Sequence, residues 1–542
     1  MSSTVSVTGF GADPSAPIGT LAHWLLTEAL RCLLAVLAGM LLARAMRARG
    51  LHWSWAGVGG ALALALRSAL DGAAAPLALA LMLAARSGRR WHREDLESGA
   101  DLRELALSRR SPLDSLVALT RSLGSRLREH GPRPTDCEAD LALGRDERGR
   151  TVSVNVGGGR HTLVLGATGS GKTVTQTSLA AHEIASGSAV VIVDPKGDAD
   201  MFATVSEAAA DAGRRFVHWS PAGGAVYNPY ARGSETEIAD KALAGETFTE
   251  PHYLRQAQRY LGHVVRALHA ADIEVSLGTI VEHLDPGALE VLARALPEAS
   301  AGATHAYLDA LTARQRGDLA GVRDRLAILA ESDVGRWLDP RTRGVPRFEL
   351  LQAVRAGATV YFSLESDRRP LLTQMLGAAI VQDLLTTVAA LQGRPLPALI
   401  VIDEFSAVAA RQVVRLFGRA RSAGFSLLLG TQELADLRPA GGEQLLEQVV
   451  GNLSLLIAHR QVVPASAELI ASIAGTHGAW RVTRNSDGRT TRTRTREKAL
   501  SPDRIMALPP GWAAVIGFGG TDRARVARIR RTASSAPHGA PR

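Results

Sequence analysis

The chain has 542 residues, 46% hydrophobic and 21% charged; this composition excludes an intrinsically disordered protein, and the length exceeds a single hydrophobic core. Its formal net charge of +9 favours an anionic partner, either nucleic acid or phospholipid headgroups. Because Cys32 and Cys137 are the only cysteines, a disulfide framework and a cysteine zinc site are excluded, and a cytosolic body is expected.

The first residues are much more apolar than the rest, and a membrane anchor is predicted over residues 1–93. A mostly apolar stretch from Leu21 to Ala43 would be about 34 Å long as a helix, enough to cross a bilayer. A second apolar region, from Trp53 to Ala85, fits either one long tilted span or a hairpin of two short helices. The anchor therefore has two or three helices, with buried core helices as the alternative interpretation.

Arginine clusters follow both apolar regions and bear on their orientation. Those after the first region are Arg44, Arg47 and Arg49, and those after the second are Arg86, Arg89, Arg90 and Arg93. Both flanks are thus expected in the cytoplasm, and three membrane crossings would put them there. The lengths of the apolar segments instead favour two crossings. The number of membrane crossings stays open. Residues 94–150 are predicted to be a charged connector that ends in a hairpin leading into the next domain.

A complete P-loop sequence spans residues 166–173, between a strand pattern at 162–165 and a helix pattern from Val174. Its glycines let consecutive backbone N–H groups surround a polyphosphate, so the loop is predicted to bind ATP. Lys172 is expected to reach the β- and γ-phosphates and the Thr173 hydroxyl to bind Mg²⁺. The predicted nucleotide-binding residues are Gly166, Ala167, Thr168, Gly169, Ser170, Gly171, Lys172 and Thr173.

Two acidic residues follow an apolar run, 398–402, that is typical of a central strand covered on both faces. Because ligands meet the carboxyl ends of such strands, Asp403 is expected to bind Mg²⁺ and Glu404 to orient or deprotonate the attacking water. An acidic helix cap is the alternative. Gln432 follows another strand pattern, 425–430, and is predicted either to sense the γ-phosphate in catalysis or to cap a helix.

Helical periodicity dominates residues 234–346, which predicts an inserted all-α domain with helices near 253–268, 288–296 and 304–330. The insertion divides the motor into a first part, 151–233, and a second part, 347–522. Residues 523–542 are predicted to be a flexible tail.

Four arginines that follow Glu404 are candidates for a catalytic arginine: Arg415, Arg419, Arg421 and Arg460. In ring-shaped P-loop motors an arginine of one subunit completes the site of its neighbour. Arg460 is preferred for this role and Arg421 is second, while a solvated helix face or a structural ion pair is the alternative for each.

Residues 480–498 alternate Thr with Arg around an Asp-Gly turn, which predicts a basic hairpin. Period-two spacing puts the arginines of its second half on one face, where they could follow a DNA backbone without reading bases. An edge hairpin whose charges prevent aggregation is the alternative.

In this order, the motifs resemble the conjugative type IV coupling proteins of the TraD/TraG kind, relatives of the HerA and FtsK DNA pumps. The resemblance covers roughly residues 150–520. Besides the P-loop and Gln432, it rests on Asp194 to Asp198, Tyr227 to Pro229, Ile402 to Phe405, Asn452 to Arg460, and Leu500 to Gly511, which looks like the family's closing strand and turn. The family commonly has Glu where this chain has Asp198.

The resemblance implies an α/β P-loop NTPase motor of the RecA-like, HerA/FtsK type, with an inserted all-α lobe and an N-terminal transmembrane helical region. It implies ATP and Mg²⁺ as cofactors and a homo-hexamer in the inner membrane with a cytoplasmic motor. The implied partners are DNA, relaxosome-like proteins and secretion channel components. The implied function is ATP-driven coupling of DNA, or a DNA–protein complex, to a conjugative type IV secretion channel.

The alternative function is that of an FtsK/HerA-like double-stranded DNA translocase not tied to secretion. Whether the DNA is single- or double-stranded stays open. An ABC-type transporter ATPase is disfavoured because no Leu-Ser-Gly-Gly signature lies between the P-loop and Asp403.

Overall fold

The computed structural model describes residues 16–48, 51–66, 73–97, 140–147, 149–246, 248, 250–408, 410–484, 490–518 and 524–530. The strands are β1 Leu141–Asp146, β2 Thr151–Val154, β3 His161–Leu165, β4 Ala189–Asp194, β5 Phe216–Trp219, β6 Val226–Tyr227, β7 Arg347–Phe348, β8 Thr359–Ser363, β9 Ala398–Ile402, β10 Phe425–Thr431, β11 Leu455–Ala458, β12 Thr476–Arg484, β13 Thr490–Lys498, β14 Trp512–Gly517 and β15 Ala524–Ile529. The helices are α1 Ala16–Ala48, α2 Ser54–Ala65, α3 Ala74–Glu97, α4 Lys172–Ala185, α5 Ala199–Asp211, α6 Glu235–Leu243, α7 Pro251–Ala270, α8 Leu277–His283, α9 Pro286–Arg294, α10 Glu298–Asp309, α11 Ala313–Ala330, α12 Leu350–Arg355, α13 Pro370–Ala390, α14 Phe405–Val408, α15 Ala410–Ala420, α16 Arg438–Asn452, α17 Pro464–Ala474 and α18 Pro502–Met506.

The described residues form two compact units. One lies within residues 1–136 and 477–497 and holds α1 to α3 and most of the β12–β13 hairpin. The other, the motor unit, lies within residues 137–476 and 498–542.

Within the first unit, α1 and α3 run parallel and α2 runs antiparallel beside α3. A Cβ built at Gly39 would lie 2.6 Å from the Ala80 carbonyl oxygen, and one built at Gly88 would lie 2.7 Å from Trp53 Cβ. Ala43 lies in one cluster with Ala84. The contacts of α1 with α3 therefore move from Gly39 and Ala80 to Ala43 and Ala84, four residues further along each helix, so the two helices run in the same direction. The arginine-bearing ends of α1 and α3 therefore lie at the same end of this unit.

The second apolar region forms two helices, α2 and α3, and not one long helix. Leu25–Met46 in α1 is long and apolar enough to cross a membrane. The 12-residue α2 is about 18 Å long, which is shorter than the hydrocarbon core of a bilayer. In the motor unit, α13 passes the same test of length and composition but is 72% buried, as expected for a core helix.

The motor unit is built on one 11-stranded sheet with the order β2-β1-β15-β14-β11-β3-β10-β9-β4-β8-β5. The strands from β11 to β5 are parallel, and the four at the other edge are antiparallel. Every residue of β3, β4, β9 and β10 is buried, since helices cover both faces. The carboxyl ends of these strands bring the predicted site residues to one edge.

An all-α lobe, α6 to α11, is inserted between β6 and β7. The chain leaves and re-enters the motor at one place, because Val226 pairs with Arg347 and Tyr227 with Phe348. The helix expected at 304–330 is in fact two helices, since Thr312 starts α11 with a capping box to Gln315. The predicted α/β motor with an inserted all-α lobe is confirmed.

Three segments differ from their predictions. β1 belongs to the main sheet, so the hairpin assigned to the connector is part of the motor. Residues 524–529, assigned to a flexible tail, form β15 between β14 and β1. This strand buries Val526, Ala527 and Ile529, but its two arginines hide the apolar pattern in the sequence. Residues 500–511 contain the short helix α18 and not a strand, because Ser501 caps it. Residues 98–139 of the predicted connector lie outside the described residues.

Candidate nucleotide-binding and catalytic site

The P-loop connects β3 to α4 through glycines that other residues could not replace without strain. Gly169 has φ 75° and Gly171 has φ 110°, both in the left-handed region. The Ser170 N–H donates to the Ala167 carbonyl at 3.0 Å and closes the loop. A Cβ built at Gly166 would lie only 2.4 Å from Ser170 Oγ. The loop is thus wound tightly in front of the N-terminus of α4, where N–H groups favour anions.

Residues after β11 brace the P-loop from outside. The Ala167 N–H donates to the Arg460 carbonyl at 3.2 Å. His459 Nδ1 lies 3.0 Å from the Trp512 carbonyl oxygen and Nε2 lies 2.8 Å from Thr175 Oγ1. Burial lowers the pKa of His459 to about 4. The neutral ring therefore donates from Nδ1 and accepts the Thr175 hydroxyl at Nε2, because a carbonyl oxygen can only accept.

Lys172 lies between the two carboxylates that follow β9. Its Nζ donates to Asp403 Oδ1 and to Glu404 Oε1, both at 2.7 Å. All three side chains are at least nine-tenths buried. Buried charges persist only when they are paired, so the P-loop lysine and the carboxylates form one electrostatic unit.

Glu404 is the most constrained residue of the site. Its φ of 43° lies in the left-handed region that residues other than glycine rarely adopt, and such strain accumulates at functional sites. Burial alone would raise the pKa of Glu404, but the charges and hydrogen bonds of Lys172 and Lys196 outweigh it and lower the pKa. Glu404 is therefore ionised at neutral pH, as a base that activates water must be.

Lys196 also belongs to this cluster, although the sequence alone did not place it in the site. Its Nζ donates to Glu404 Oε1 at 2.8 Å. Burial would lower the pKa of Lys196, but Glu404 raises it, so this lysine is charged. Asp194 holds the loop in place by accepting the backbone N–H groups of residues 196–198 and the Tyr361 hydroxyl. The polar residues directly after β4 were the sequence feature that could have indicated the position of Lys196 at this edge of the sheet.

Gln432 stands beside the same carboxylate. Its Nε2 lies 3.4 Å from Glu404 Oε1, a long contact at the limit of a hydrogen bond. Two positions before it, Gly430 leaves room for neighbouring side chains: a Cβ there would lie 2.5 Å from Asp403 Oδ1 and 2.3 Å from Gln176 Nε2. The missing side chain at Gly430 thus lets Asp403 reach the P-loop edge.

The residues of this edge fit a nucleotide with Mg²⁺. The buried Ser170 Oγ has no hydrogen-bond partner among the described atoms, and Lys172 provides a charge for phosphates. The Thr173 hydroxyl follows Lys172 at the start of α4, and Asp403 contributes a carboxylate; such hard oxygen donors suit Mg²⁺ when phosphates complete the shell.

The candidate arginines lie at different ends of the sheet. The Arg460 backbone touches the P-loop of its own chain, and its buried Nε has no partner among the described atoms. Arg415, Arg419 and Arg421 are exposed. A Cβ at Gly159, before β3, would lie 2.9 Å from Arg421 Cγ, so Arg421 is at the amino end of β3, opposite the P-loop.

The predicted basic hairpin is formed by β12 and β13. The Thr495 hydroxyl lies 3.5 Å from the Ala479 carbonyl across the two strands, and Arg496 is exposed. The side chains of residues 480–494 lie outside the described residues.

Comparisons with known proteins agree with this architecture. A family model described as the TraM recognition site of TraD and TraG matches residues 397–510, and one described as Helicase HerA-like C-terminal matches residues 141–220. A stretch of 75 residues is 33% identical to an uncharacterized protein of Mycoplasma pneumoniae; it is 14% of this chain, which spans about half the length of that curated relative.

Solved structures share the fold. The bacterial conjugative coupling protein TrwBdeltaN70 matches with a TM-score of 0.55 and 18% identity, over 76% of this chain and 92% of that one. TrwB in complex with ADP and Mg²⁺ matches with a TM-score of 0.54 and 19% identity, over 76% and 93%. VirB4 of Thermoanaerobacter pseudethanolicus matches with a TM-score of 0.50 and 14% identity, over 74% and 99%. The chain thus shares the fold of these structures, and two of its segments match family models of TraD/TraG and HerA, so the resemblance to type IV coupling proteins and HerA/FtsK-related P-loop ATPases that its motifs predicted is confirmed.

Proposed function

We propose that this protein is a membrane-anchored, ATP-hydrolysing motor that couples DNA, or a DNA–protein complex, to a conjugative type IV secretion channel. The observation that carries the proposal is the contact of Lys172 with both Asp403 and Glu404 at the carboxyl edge of the sheet. The match of residues 397–510 to the TraM recognition site model favours coupling over an FtsK/HerA-like translocase. That match also supports a relaxosome-like protein as a partner.

Each residue of the site has its own role in the proposed hydrolysis of ATP. Lys172 and the P-loop N–H groups bind the phosphates, which draws Lys172 away from the carboxylates. Glu404 then accepts a proton from the attacking water while Lys196 keeps it ionised and in place. Thr173 and Asp403 would hold Mg²⁺, which would neutralise charge on the phosphates. Gln432, beside Glu404, passes the loss of the γ-phosphate to its strand.

In a homo-hexameric ring, an arginine of the neighbouring subunit supplies a further positive charge to the ATP site. Arg421 is about 17 Å from its own P-loop along the five residues of β3, beyond the reach of an arginine side chain. It can act only on a neighbouring subunit. For Arg460, which lies at its own P-loop, the geometry favours a role within its own site, in contrast to the trans role preferred from the sequence.

The anchor places the motor at the inner membrane, with the motor in the cytoplasm. Leu25–Met46 has the length and composition of a span, and the arginines in the C-terminal parts of α1 and α3 lie at one end of their unit. This parallel arrangement supports the same side, the cytoplasmic one, for both arginine clusters; the number of crossings stays open, because α2 is shorter than the hydrocarbon core.

A mating assay tests the proposed function. In a donor strain that lacks the gene, the wild-type chain should restore conjugative transfer and Glu404→Gln should not. Glu433→Gln is the matched control, since Glu433 lies after β10 at the same sheet edge and contacts neither lysine; it should restore transfer. Transfer by Glu404→Gln at the wild-type frequency would contradict an ATP-driven role.

DNA binding is tested separately. The +9 charge and the hairpin arginines support binding to phosphates, so affinity should fall steeply with salt and depend little on sequence. Replacing Arg489, Arg492, Arg494 and Arg496 with Ala should weaken binding and flatten the salt dependence. The control replaces four arginines that are exposed elsewhere in the chain, Arg215, Arg343, Arg355 and Arg394, with Ala. Equal losses in both variants would count against the hairpin as the DNA contact.

A further inference from the structure

Gln176 lies on α4, one helical turn after Lys172, and is completely buried. Within the part of the chain that the structure describes, neither its amide nitrogen nor its amide oxygen has a hydrogen-bond partner. Burying an amide without a partner is costly, so unpaired amides are rare in protein cores. A leucine or a methionine favours a helix as strongly and would fill this position without that cost. Packing alone therefore does not explain a glutamine at this position.

The amide of Gln176 lies beside the carboxylate of Asp403. A Cβ built at Gly430 would lie 2.3 Å from Gln176 Nε2, 3.0 Å from Gln176 Cδ and 2.5 Å from Asp403 Oδ1. The donor nitrogen of the amide and the carboxylate oxygen thus approach the same point above the glycine. The two atoms are not hydrogen-bonded here, but a small rotation of either side chain brings them to hydrogen-bond distance.

Asp403 has one side-chain donor, and the proposed reaction removes it. Its Oδ1 accepts a hydrogen bond from Lys172 Nζ at 2.7 Å, and its side chain is 6% exposed. Among the described residues, no other side chain donates a hydrogen bond to this carboxylate. When Lys172 turns to the phosphates, the buried charge of Asp403 loses its partner, which is strongly unfavourable. A second donor is needed at that moment.

We propose that Gln176 is this second donor, a positioning residue that bonds to Asp403 when Lys172 leaves it. The inference rests on the proposed nucleotide binding. With Lys172 on Asp403, as in this structure, the amide of Gln176 is unpaired. With Lys172 on the phosphates, Gln176 Nε2 donates to Asp403 Oδ1. The carboxylate then keeps its orientation toward the Mg²⁺ that it would help to hold.

This role opposes function to stability. While Lys172 occupies Asp403, the unpaired amide of Gln176 lowers the stability of the motor. The amide becomes favourable only when a nucleotide draws Lys172 away. A purely structural glutamine would behave in the opposite way, because its removal would lower stability and would not depend on Asp403.

Equilibrium binding of a non-hydrolysable ATP analogue with Mg²⁺ to the full chain in detergent tests the proposal. Gln176→Met keeps the length of the side chain and removes the amide. This variant should bind the analogue about tenfold more weakly, since a hydrogen bond to a charged group is lost. Its thermal unfolding midpoint without nucleotide should be higher than that of the wild type, because no amide is buried unpaired.

A double-mutant cycle with Asp403→Asn shows whether the two side chains act together. In the Asp403→Asn background, Gln176→Met should change the affinity by no more than about twofold, because the charged partner is gone. Unchanged affinity in Gln176→Met alone, or the same tenfold loss in both backgrounds, would overturn the pairing. A lower unfolding midpoint in Gln176→Met would make Gln176 a structural residue and would overturn it as well.

Two further variants serve as controls. Thr359→Val is matched to Gln176→Met, since Thr359 on β8 is also completely buried and its hydroxyl has no partner among the described atoms. It should raise the unfolding midpoint and leave the affinity for the analogue unchanged; a tenfold loss of affinity here too would overturn the specific role of Gln176. Lys172→Ala should abolish binding, and wild-type affinity in this variant would contradict the P-loop site on which the inference rests.

Discussion

Lys196 Nζ lies 2.8 Å from Glu404 Oε1, although 208 positions separate the two residues in the chain. The side chain of Lys196 is 45% exposed, whereas that of Lys172, which contacts the same oxygen, is 8% exposed. The two lysines therefore differ in their surroundings while they share one partner. On the proposed mechanism, when Lys172 turns to phosphates, Lys196 remains to hold the Glu404 carboxylate in its charged form.

Removing Lys196 should impair catalysis and change its pH dependence. In Lys196→Ala, Glu404 loses one of the two charges that lower its pKa, so its pKa rises. Because the base must be ionised, the acidic limb of the kcat profile should move to higher pH, and kcat should fall roughly tenfold. Steady-state ATP hydrolysis across pH measures both effects.

The matched control for this variant is Lys498→Ala, which removes a lysine paired with Glu468 away from the site. Its pH profile should overlay that of the wild type. A Lys196→Ala profile with an unmoved acidic limb would mean that Lys196 does not act on Glu404.

A buried ion pair between the lobe and the motor should control stability. Lys241 Nζ donates to Asp383 Oδ1 at 2.7 Å and to the carbonyl oxygens of Pro229 and Arg232. Lys241→Met leaves the Asp383 charge buried without its partner and should destabilise the motor by about 3 kcal/mol. The first thermal unfolding transition should move to lower temperature.

The double variant Lys241→Met/Asp383→Asn provides the comparison, because it removes the buried charge but keeps an acceptor for the Tyr227 hydroxyl. It should unfold at a higher temperature than Lys241→Met alone. The same midpoint for Lys241→Met and the wild type would show that the pair contributes nothing.

Mixed assemblies test the trans arginine and, with it, the ring. A Lys172→Ala subunit has an intact Arg421, and an Arg421→Ala subunit has an intact P-loop. Mixing the two should restore part of the ATPase activity, because some interfaces combine both intact parts. Mixing Lys172→Ala with Arg460→Ala should restore none, since Arg460 contacts the P-loop of its own chain. Recovery in the mixture with Arg460→Ala but not in the one with Arg421→Ala would assign the trans role to Arg460.

The P-loop, Asp403 and Glu404 could be placed at one edge from the sequence, because motif spacing and the direction of parallel strands determine where they lie. Lys196 could not be joined to Glu404 in this way, since their contact depends on how Asp194 folds the loop after β4. The strand β15 was missed for a related reason. Its apolar side is recognised only when β14 and β1 flank it, and its arginines resemble those of a disordered end.

The parallel arrangement of α1 and α3 was likewise open in the sequence. Segment length and arginine distribution favoured different numbers of crossings. The close approach of Gly39 to Ala80, which only tertiary packing reveals, places both arginine clusters at one end of the unit.

The central claim, an ATPase motor that acts on DNA, is tested most directly by ATP hydrolysis of the full chain in detergent, with and without single- and double-stranded DNA. The wild type should hydrolyse ATP faster when DNA is present, at low salt most of all. Glu404→Gln should bind ATP but lose roughly 100-fold or more in kcat under every condition, and Lys172→Ala should neither bind nor hydrolyse it. Hydrolysis by Glu404→Gln at the wild-type rate, or a wild-type rate that neither form of DNA changes, would contradict the account.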